Sequence, residues 1–393
     1  MSSRKWVVVA AVVAPLGGLL SLATVTPGRL AWAAPPSLSV TKTVETGSMP
    51  KAVTVSPDGK SLVVTNFGFW KTRNLYWYDP VTLAKIGQTD FDDKDGNAVE
   101  AVFSPDSKTL YTSNFNGNNV KVVDVATKKV TKTVDVGLRP KIVVLSPDGT
   151  KLMVANWDSY SSTIYDTKDW KQLYKLKAGE HPRGIAITGG PNPKAYIAGF
   201  EGDELDIYEG ADFGTHKKIK ACRHIRHMTL SPDSKILYLS CYYHGQLGVW
   251  DIATDKMTKL VQIGQEPKSS AVSTDGRWVF IANFGKPDQD SISVVDTSDW
   301  KQRYIKVPKM DQGCGLALSP DQRTVWVTGW NSRTLHSIDV GPLGIKPAAV
   351  ASASVSASAS VVASAAPSGS AKPSASAAPK LGTAPGKGPI KLE

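Results

Sequence analysis

Short runs in which apolar side chains alternate with small or polar ones recur along this chain, and turn residues separate them. Ala52-Val53-Thr54-Val55 leads into Ser56-Pro57-Asp58-Gly59, a second run follows at Ser61-Leu62-Val63-Val64-Thr65-Asn66, and a third ends in an acid at Leu75-Tyr76-Trp77-Tyr78-Asp79. A weaker fourth run closes the unit. Period-two alternation broken by a Pro-Asp-Gly turn predicts antiparallel hairpins. Related turns stand at Ser104-Pro105-Asp106-Ser107, Ser146-Pro147-Asp148-Gly149, Ser231-Pro232-Asp233-Ser234, Ser273-Thr274-Asp275-Gly276 and Ser319-Pro320-Asp321-Gln322. Gly189-Gly190-Pro191-Asn192 fills the one double-length gap, so the chain carries seven units at steps of 42 to 48 residues.

Four short strands per unit make one propeller blade, and the pattern at the ends predicts how the ring closes. Leu38 to Thr46 reads as a fourth strand ahead of the first unit, whereas the seventh unit stops after three strands near Val340. The first segment therefore completes the last blade and removes the open edge. The expected fold is all-β, a seven-bladed β-propeller over residues 34–345. The repeat grammar, Ser-Pro-Asp-Gly, then an apolar run ending in Thr-Asn or Ala-Asn, then Val-Val-Asp, resembles the YVTN-type propellers of exported bacterial proteins. Leu62 to Asn66 and Leu152-Met153-Val154-Ala155-Asn156 carry the likeness best, and the fourth unit departs from it. The resemblance implies the fold; its members include surface proteins, nucleic-acid binders and relatives of lactonases and of haem or copper propellers.

Composition changes the picture at the two ends. Residues 1–33 read as a secretory signal, with Arg4 and Lys5 before an apolar stretch and Ala31-Trp32-Ala33 as the cleavage pattern. From Lys346 the chain turns to Ala, Ser, Pro and Lys, a composition too poor in apolar side chains to fold, and this tail is expected to be disordered. The mature protein is thus expected in the periplasm, at the cell surface or secreted, as a monomer with no membrane span once the leader is removed. A hydrophobic content of 41% excludes a wholly disordered chain. The formal charge is +11, but the leader holds +3 of it and the last 48 residues +4. A repeat region left with +4 is no general polyanion sink, so any basic site has to be local.

Two repeated columns supply one. Five residues before each repeat Ser, and before Thr188 in the fourth unit, stand Lys51, Val99, Lys141, Arg183, Arg226, Lys268 and Cys314. These are the first residues of the innermost strands, so the five cations are expected around the mouth of the central channel, where they would attract an anion. The alternative is that long side chains merely cover blade edges. At the top of each second strand the column is Phe67, Phe115, Trp157, Phe200, Tyr242, Phe284 and Trp330. Such rings, Trp157 and Trp330 foremost, suit stacking on bases or sugars if exposed; strict regularity also fits wedges between blades.

The histidines are uneven. His181, His216, His224, His227 and His244 all lie in the fourth and fifth units. Pairing residues that sum to 465 around the Ser231 hairpin sets His224 opposite Cys241 and Cys222 opposite Tyr243, which gathers Cys222, His224, His227, Cys241 and His244 at one rim. His224, His227, Cys241 and His244 are thus candidate ligands for a transition metal. A Cys222–Cys241 disulfide is the competing expectation in an oxidising compartment. Asp90-Phe91-Asp92-Asp93-Lys94-Asp95-Gly96 has the carboxylate density of a calcium loop without its ligand spacing.

No nucleophile elbow, phosphate-binding loop, dinucleotide fingerprint or zinc-protease motif occurs. The expectation is therefore a binding module for an anionic ligand: a glycan, a cell-wall polymer or another cell-envelope component, or single-stranded nucleic acid. A structural disc that docks a protein partner ranks second. Third comes an enzyme using His181, His224, His227 and His244 about a metal, or as acid and base.

Overall fold

The computed structural model of the protein describes residues 37–68, 74–91, 96–285 and 291–347. The expected leader, all but the first residues of the expected tail, and residues 92–95 of the acidic loop lie outside the described residues.

Seven four-stranded antiparallel sheets follow one another along the chain. In the first blade the order is Pro50–Val55, Leu62–Asn66, Asn74–Tyr78 and Lys85–Thr89, each strand pairing with the next. The seventh blade holds Gly313–Leu318, Thr324–Gly329 and Thr334–Asp339, and its outer strand is Ser39–Glu45 from the other end of the chain. That closing strand runs from Ser39 opposite Asp339 to Glu45 opposite Thr334. At the seam His336 is buried, held between the Thr43 hydroxyl at Nδ1 (2.8 Å) and the Thr334 hydroxyl at Nε2 (2.7 Å). Burial pushes the imidazole down to about 4, so it is neutral at physiological pH.

The repeat turns are built from their own side chains. Ser104 Oγ donates to Asp106 Oδ1 (2.6 Å) and accepts from the Thr109 amide (3.0 Å), while the Lys108 amide reaches the same carboxylate (3.1 Å). The Ser104 hydrogen bond holds the Asp106 carboxyl below its usual range. Ser56–Asp58, Ser146–Asp148, Ser231–Asp233, Ser273–Asp275 and Ser319–Asp321 repeat the contact. The fourth blade substitutes a longer loop closed by the Lys194 amide on Thr188 Oγ1 (2.7 Å), with Gly190 at φ +89°. At the end of the third strand the acid caps the next turn, as Asp124 does for Thr127 (2.8 Å to the amide). Glu209 is the exception and pairs with Lys194 (2.9 Å) and Lys217 (2.7 Å).

The core is not central. Seven apolar clusters each draw on two neighbouring sheets, as Val63, Leu75 and Trp77 of the first blade pack on Phe103, Leu110 and Val123 of the second. Sheet-on-sheet burial of this kind stabilises adjacent blades and leaves the axis of the ring free for other chemistry.

Candidate functional site: the central channel

Every inner strand slips register immediately after its first pair. The shift falls between Pro50 and Ala52, Ala98 and Ala101, Pro140 and Val143, Pro182 and Ile185, Ile225 and Met228, Pro267 and Ser270, and Gly313 and Leu316. A bulge re-aims the side chain within it. The residue at that position is Lys51, Val99, Lys141, Arg183, Arg226, Lys268 or Cys314, and all seven line one small space on the axis. Hydroxyls from neighbouring blades satisfy the backbone there: Ser113 Oγ donates to the Lys141 carbonyl (2.6 Å) and accepts from the Glu100 amide (3.1 Å).

The cation heads sit among the aromatic column, usually between two rings from adjacent blades. Lys51 Nζ is 4.5 Å from the Phe67 centroid and 5.1 Å from Trp330; Lys141 Nζ is 4.6 Å from Phe115 and 4.2 Å from Trp157. Arg183 contacts Trp157 and Phe200 at 5.5 Å each, and Arg226 contacts Phe200 (5.0 Å) and Tyr242 (4.7 Å). Lys268 lies 2.8 Å from Phe284 and 5.6 Å from Trp330. The rings also touch one another, Phe67 with Phe115 (5.4 Å) and with Trp330 (6.1 Å), and Trp157 with Phe200 (5.8 Å). They form a collar of π faces that holds cations where water is scarce.

Among the described residues no carboxylate forms an ion pair with any of the five. Lys141 and Arg183 are each 7% exposed, Lys268 is 5% exposed and Cys314 3%. Arg226 Nε is buried with no hydrogen-bond partner. Lys268 Nζ stands 3.7 Å from the Cys314 sulfur. Desolvation, reinforced by Arg183 and Arg226, lowers Lys51 to about 7; desolvation likewise lowers Lys141 and Lys268. Guanidinium groups keep their proton in proteins, so Arg183 and Arg226 remain charged. Among the described residues Glu100 is the one acid that lines this space, and desolvation pushes its carboxyl up to about 7. The space left between these groups is about 20 Å³, room for a water molecule or one small anionic group.

Below the cations the channel widens into a vestibule of about 640 Å³. Glu100, Ile142 and His227 line both compartments. Its walls are mostly apolar, with Val55, Val102, Val144, Leu145 and Leu318 partly exposed beside Thr54, and Pro57 and Pro105 of the repeat turns at its rim.

The structure brings Lys51, Lys141, Arg183, Arg226, Lys268, Trp157 and Trp330 together; it disperses the proposed metal ligands. Cys241 is bonded to Cys222, with their Cα atoms 5.7 Å apart, so neither offers a thiolate. His227 faces the channel and approaches Ser270 Oγ (3.2 Å); burial lowers it to about 4. His224 packs on Phe200 (4.9 Å between centroids), and His244 lies on Tyr243 in an outer groove beside Glu201, Asp203 and Arg223. Among the described residues no three His, Cys, Asp or Glu side chains converge as metal ligands. The register is also two residues different from the expectation at the hairpin. Met228 pairs with Leu239 and Leu230 with Leu237, and the bulge then sets Ile225, not His224, opposite Cys241. The four-residue loop after Ser231 and the bulge were not both countable from spacing.

Two features escaped the sequence reading. Glu100 follows a column position occupied by Val99, where no charge drew attention to it. The residue two before the column adopts a left-handed conformation in six blades, at Met49, Arg139, His181, His224, Glu266 and Gln312, with φ between 50° and 58°. This corner lays His181 flat on Trp157 (4.6 Å, 24°) and His224 against Phe200. The Pro after Met49, Arg139, His181 and Glu266 was the available signal.

No profile of a known protein family matches the chain. It is 25% identical over 232 residues to the antigen Lp49 of Leptospira interrogans, covering 53% of this chain and 50% of that protein. Protein NirF of Pseudomonas aeruginosa is 22% identical over 227 residues, 51% of this chain and 57% of NirF. Dihydro-heme d1 dehydrogenase of the same organism is 24% identical over 212 residues, 51% of this chain and 42% of the enzyme. The chain thus spans about half the length of the curated relatives it matches. Among solved structures, a chain of the hydrazine synthase of Kuenenia stuttgartiensis superposes with a TM-score of 0.62 at 18% identity, over 75% of this chain and 97% of that one. These likenesses support the propeller fold. No helix among the described residues is long and apolar enough to cross a membrane.

Proposed function

We propose that this chain is an exported, YVTN-type propeller that binds an anionic ligand by seating one small acidic group among Lys51, Lys141, Arg183, Arg226 and Lys268. One observation carries the reading: five cations converge on the axis, and no carboxylate among the described residues pairs with them. Charge buried without a partner is costly, and cation–π contacts offset that cost only in part. A bound anion removes the deficit. The space of about 20 Å³ admits a carboxylate, a phosphate oxygen or a small ion; a glycan, wall polymer or nucleic acid would engage by a single acidic group while the rest stays outside. The Cys222–Cys241 disulfide fits export through a leader at 1–33, with the tail from 346 as a spacer.

The test is calorimetric titration of the mature protein with acetate, phosphate and sulfate at constant ionic strength, in parallel with Arg183→Gln. Saturable binding that the variant weakens at least tenfold is expected. Anion effects that are unsaturable and equal in the two proteins would dismiss the site.

A second reading rests on the half-buried His181 and His224, which lie on the touching rings Trp157 and Phe200. The name of one relative, dihydro-heme d1 dehydrogenase, makes a tetrapyrrole resting on this collar the corresponding ligand. Titration with haemin should then shift its main absorbance band in the parent and not in His181→Ala/His224→Ala. An unshifted band in the parent dismisses this reading.

A further inference from the structure

The cation ring and the vestibule are adjoining compartments of one channel with opposite chemistry. Glu100, Ile142 and His227 belong to the walls of both, so the two compartments meet at these three side chains. Above that level stand five cations; below it the partly exposed wall is Val55, Val102, Val144, Leu145 and Leu318, with Thr54 the one hydroxyl among them. In the third blade the apolar stretch runs from Ile142 to Leu145 beneath Lys141. Four residues of strand rise roughly 13 Å, and the vestibule volume of about 640 Å³ falls within the range of small-molecule sites. Its rim is made by Pro57 and Pro105, so it opens on the face of the Ser-Pro-Asp turns, away from the aromatic collar.

An ordinary water-filled channel needs neither apolar walls nor a positively charged end. The pairing matches one shape of ligand: a small anionic head joined to an aliphatic chain. Resting on the anion site proposed above, we infer that the channel takes a single-chain anionic amphiphile, its carboxylate, sulfate or phosphate head among the five cations and its medium-length chain lying in the vestibule. The chain enters from the turn face. Burying methylene groups against Val102, Val144 and Leu318 supplies affinity, and charge fixes the direction in which the ligand lies. His227, neutral in its buried setting, and Glu100 sit at the neck, where the first carbons past the head would pass.

The experiment is calorimetric titration of the mature protein with acetate, butyrate, octanoate and decanoate, each below its aggregation concentration, with decanol as the uncharged control. Affinity should rise about threefold to fourfold per added methylene until the vestibule is full. The heat-capacity change should grow more negative along the series. Val144→Asp and Leu318→Asp should each weaken decanoate at least tenfold and leave acetate within twofold. Equal affinities for acetate and decanoate would overturn this inference while leaving the anion site standing. Decanol binding as tightly as decanoate would overturn this inference, because charge would then not fix the head; no binding by any of the anions would overturn both. Decanoate affinity unchanged in both Asp variants would place the chain elsewhere and overturn the inference alone.

Discussion

The two ends of the channel are made by the same inner strands, and they solve different problems. At the lower end each Ser-Pro-Asp turn satisfies itself: serine, aspartate and the local amides form a closed set of hydrogen bonds, repeated from blade to blade with little variation. At the upper end each strand carries a bulge and aims one side chain at the axis, and those side chains cannot satisfy one another because five of them are cations. Six copies of a self-contained turn add stability six times. Copies of an unpaired charge converge instead, and create a demand that only a ligand or a neutralised side chain meets. In a ring of repeats, regularity at the rim reads as packing, whereas regularity at the axis reads as a site.

The largest break in this contrast should come from reversing the axis. Arg183→Glu with Arg226→Glu removes two charge-assisted contacts and adds repulsion, so anion affinity should fall about a thousandfold, as calorimetry would show, with far-ultraviolet dichroism unchanged. Retained affinity would mean the anion binds elsewhere.

Next in size is the disulfide, the one covalent tie at the upper end. In the third blade the equivalent tie is a hydrogen bond from the Gly137 amide to Asn156 Oδ1 (3.1 Å); in the fifth, Cys222 and Cys241 occupy those two places, 19 residues apart. Cys222→Ser/Cys241→Ser should lose about 3 kcal/mol in a denaturant titration. Cys222→Gly/Cys241→Asn, which restores the repeat's own hydrogen bond, should lose less. Equal losses in the two variants would show that the bond, not the corner, is what the fifth blade needs.

A smaller effect follows from pH. The groups facing the central space are Lys51, Glu100, Lys141, Arg183, Arg226, His227, Lys268 and Cys314. Lys51 titrates about 7, well below an ordinary lysine, so it is protonated at pH 6 and largely neutral at pH 8.5. Glu100, raised to about 7, is neutral at pH 6 and ionised at pH 8.5. Both changes disfavour an anion, so affinity should fall about tenfold between these pH values. Glu100→Gln should flatten part of the slope. A rise in affinity with pH would contradict the assignment of these two groups.

The smallest change belongs to the lower end. Asp148→Ala removes acceptors for Ser146 and Thr150 in a solvent-facing turn and should cost about 1 kcal/mol of stability while leaving anion affinity untouched. Weaker binding in that variant would show that the two ends are coupled.

By itself the sequence determined the number of blades, the turn chemistry and the closing strand, because each is written in local alternation and in turn residues that recur at a fixed step. It also placed Lys51, Lys141, Arg183, Arg226 and Lys268 in one column, and a column of a propeller is a ring. Three matters were left to the tertiary structure. A bulge shifts pairing without leaving a mark in hydrophobic periodicity, so the partner of Cys241, and with it the fate of the histidine and cysteine cluster, depended on backbone geometry. Burial of Glu100 and its approach to Lys51 join residues of different blades, which spacing along one chain does not encode. The aromatic column reads alike as wedge or as binding surface. Only the positions of neighbouring blades showed rings that touch across blades while holding the cations between them, because a ring's role is set by what its faces meet.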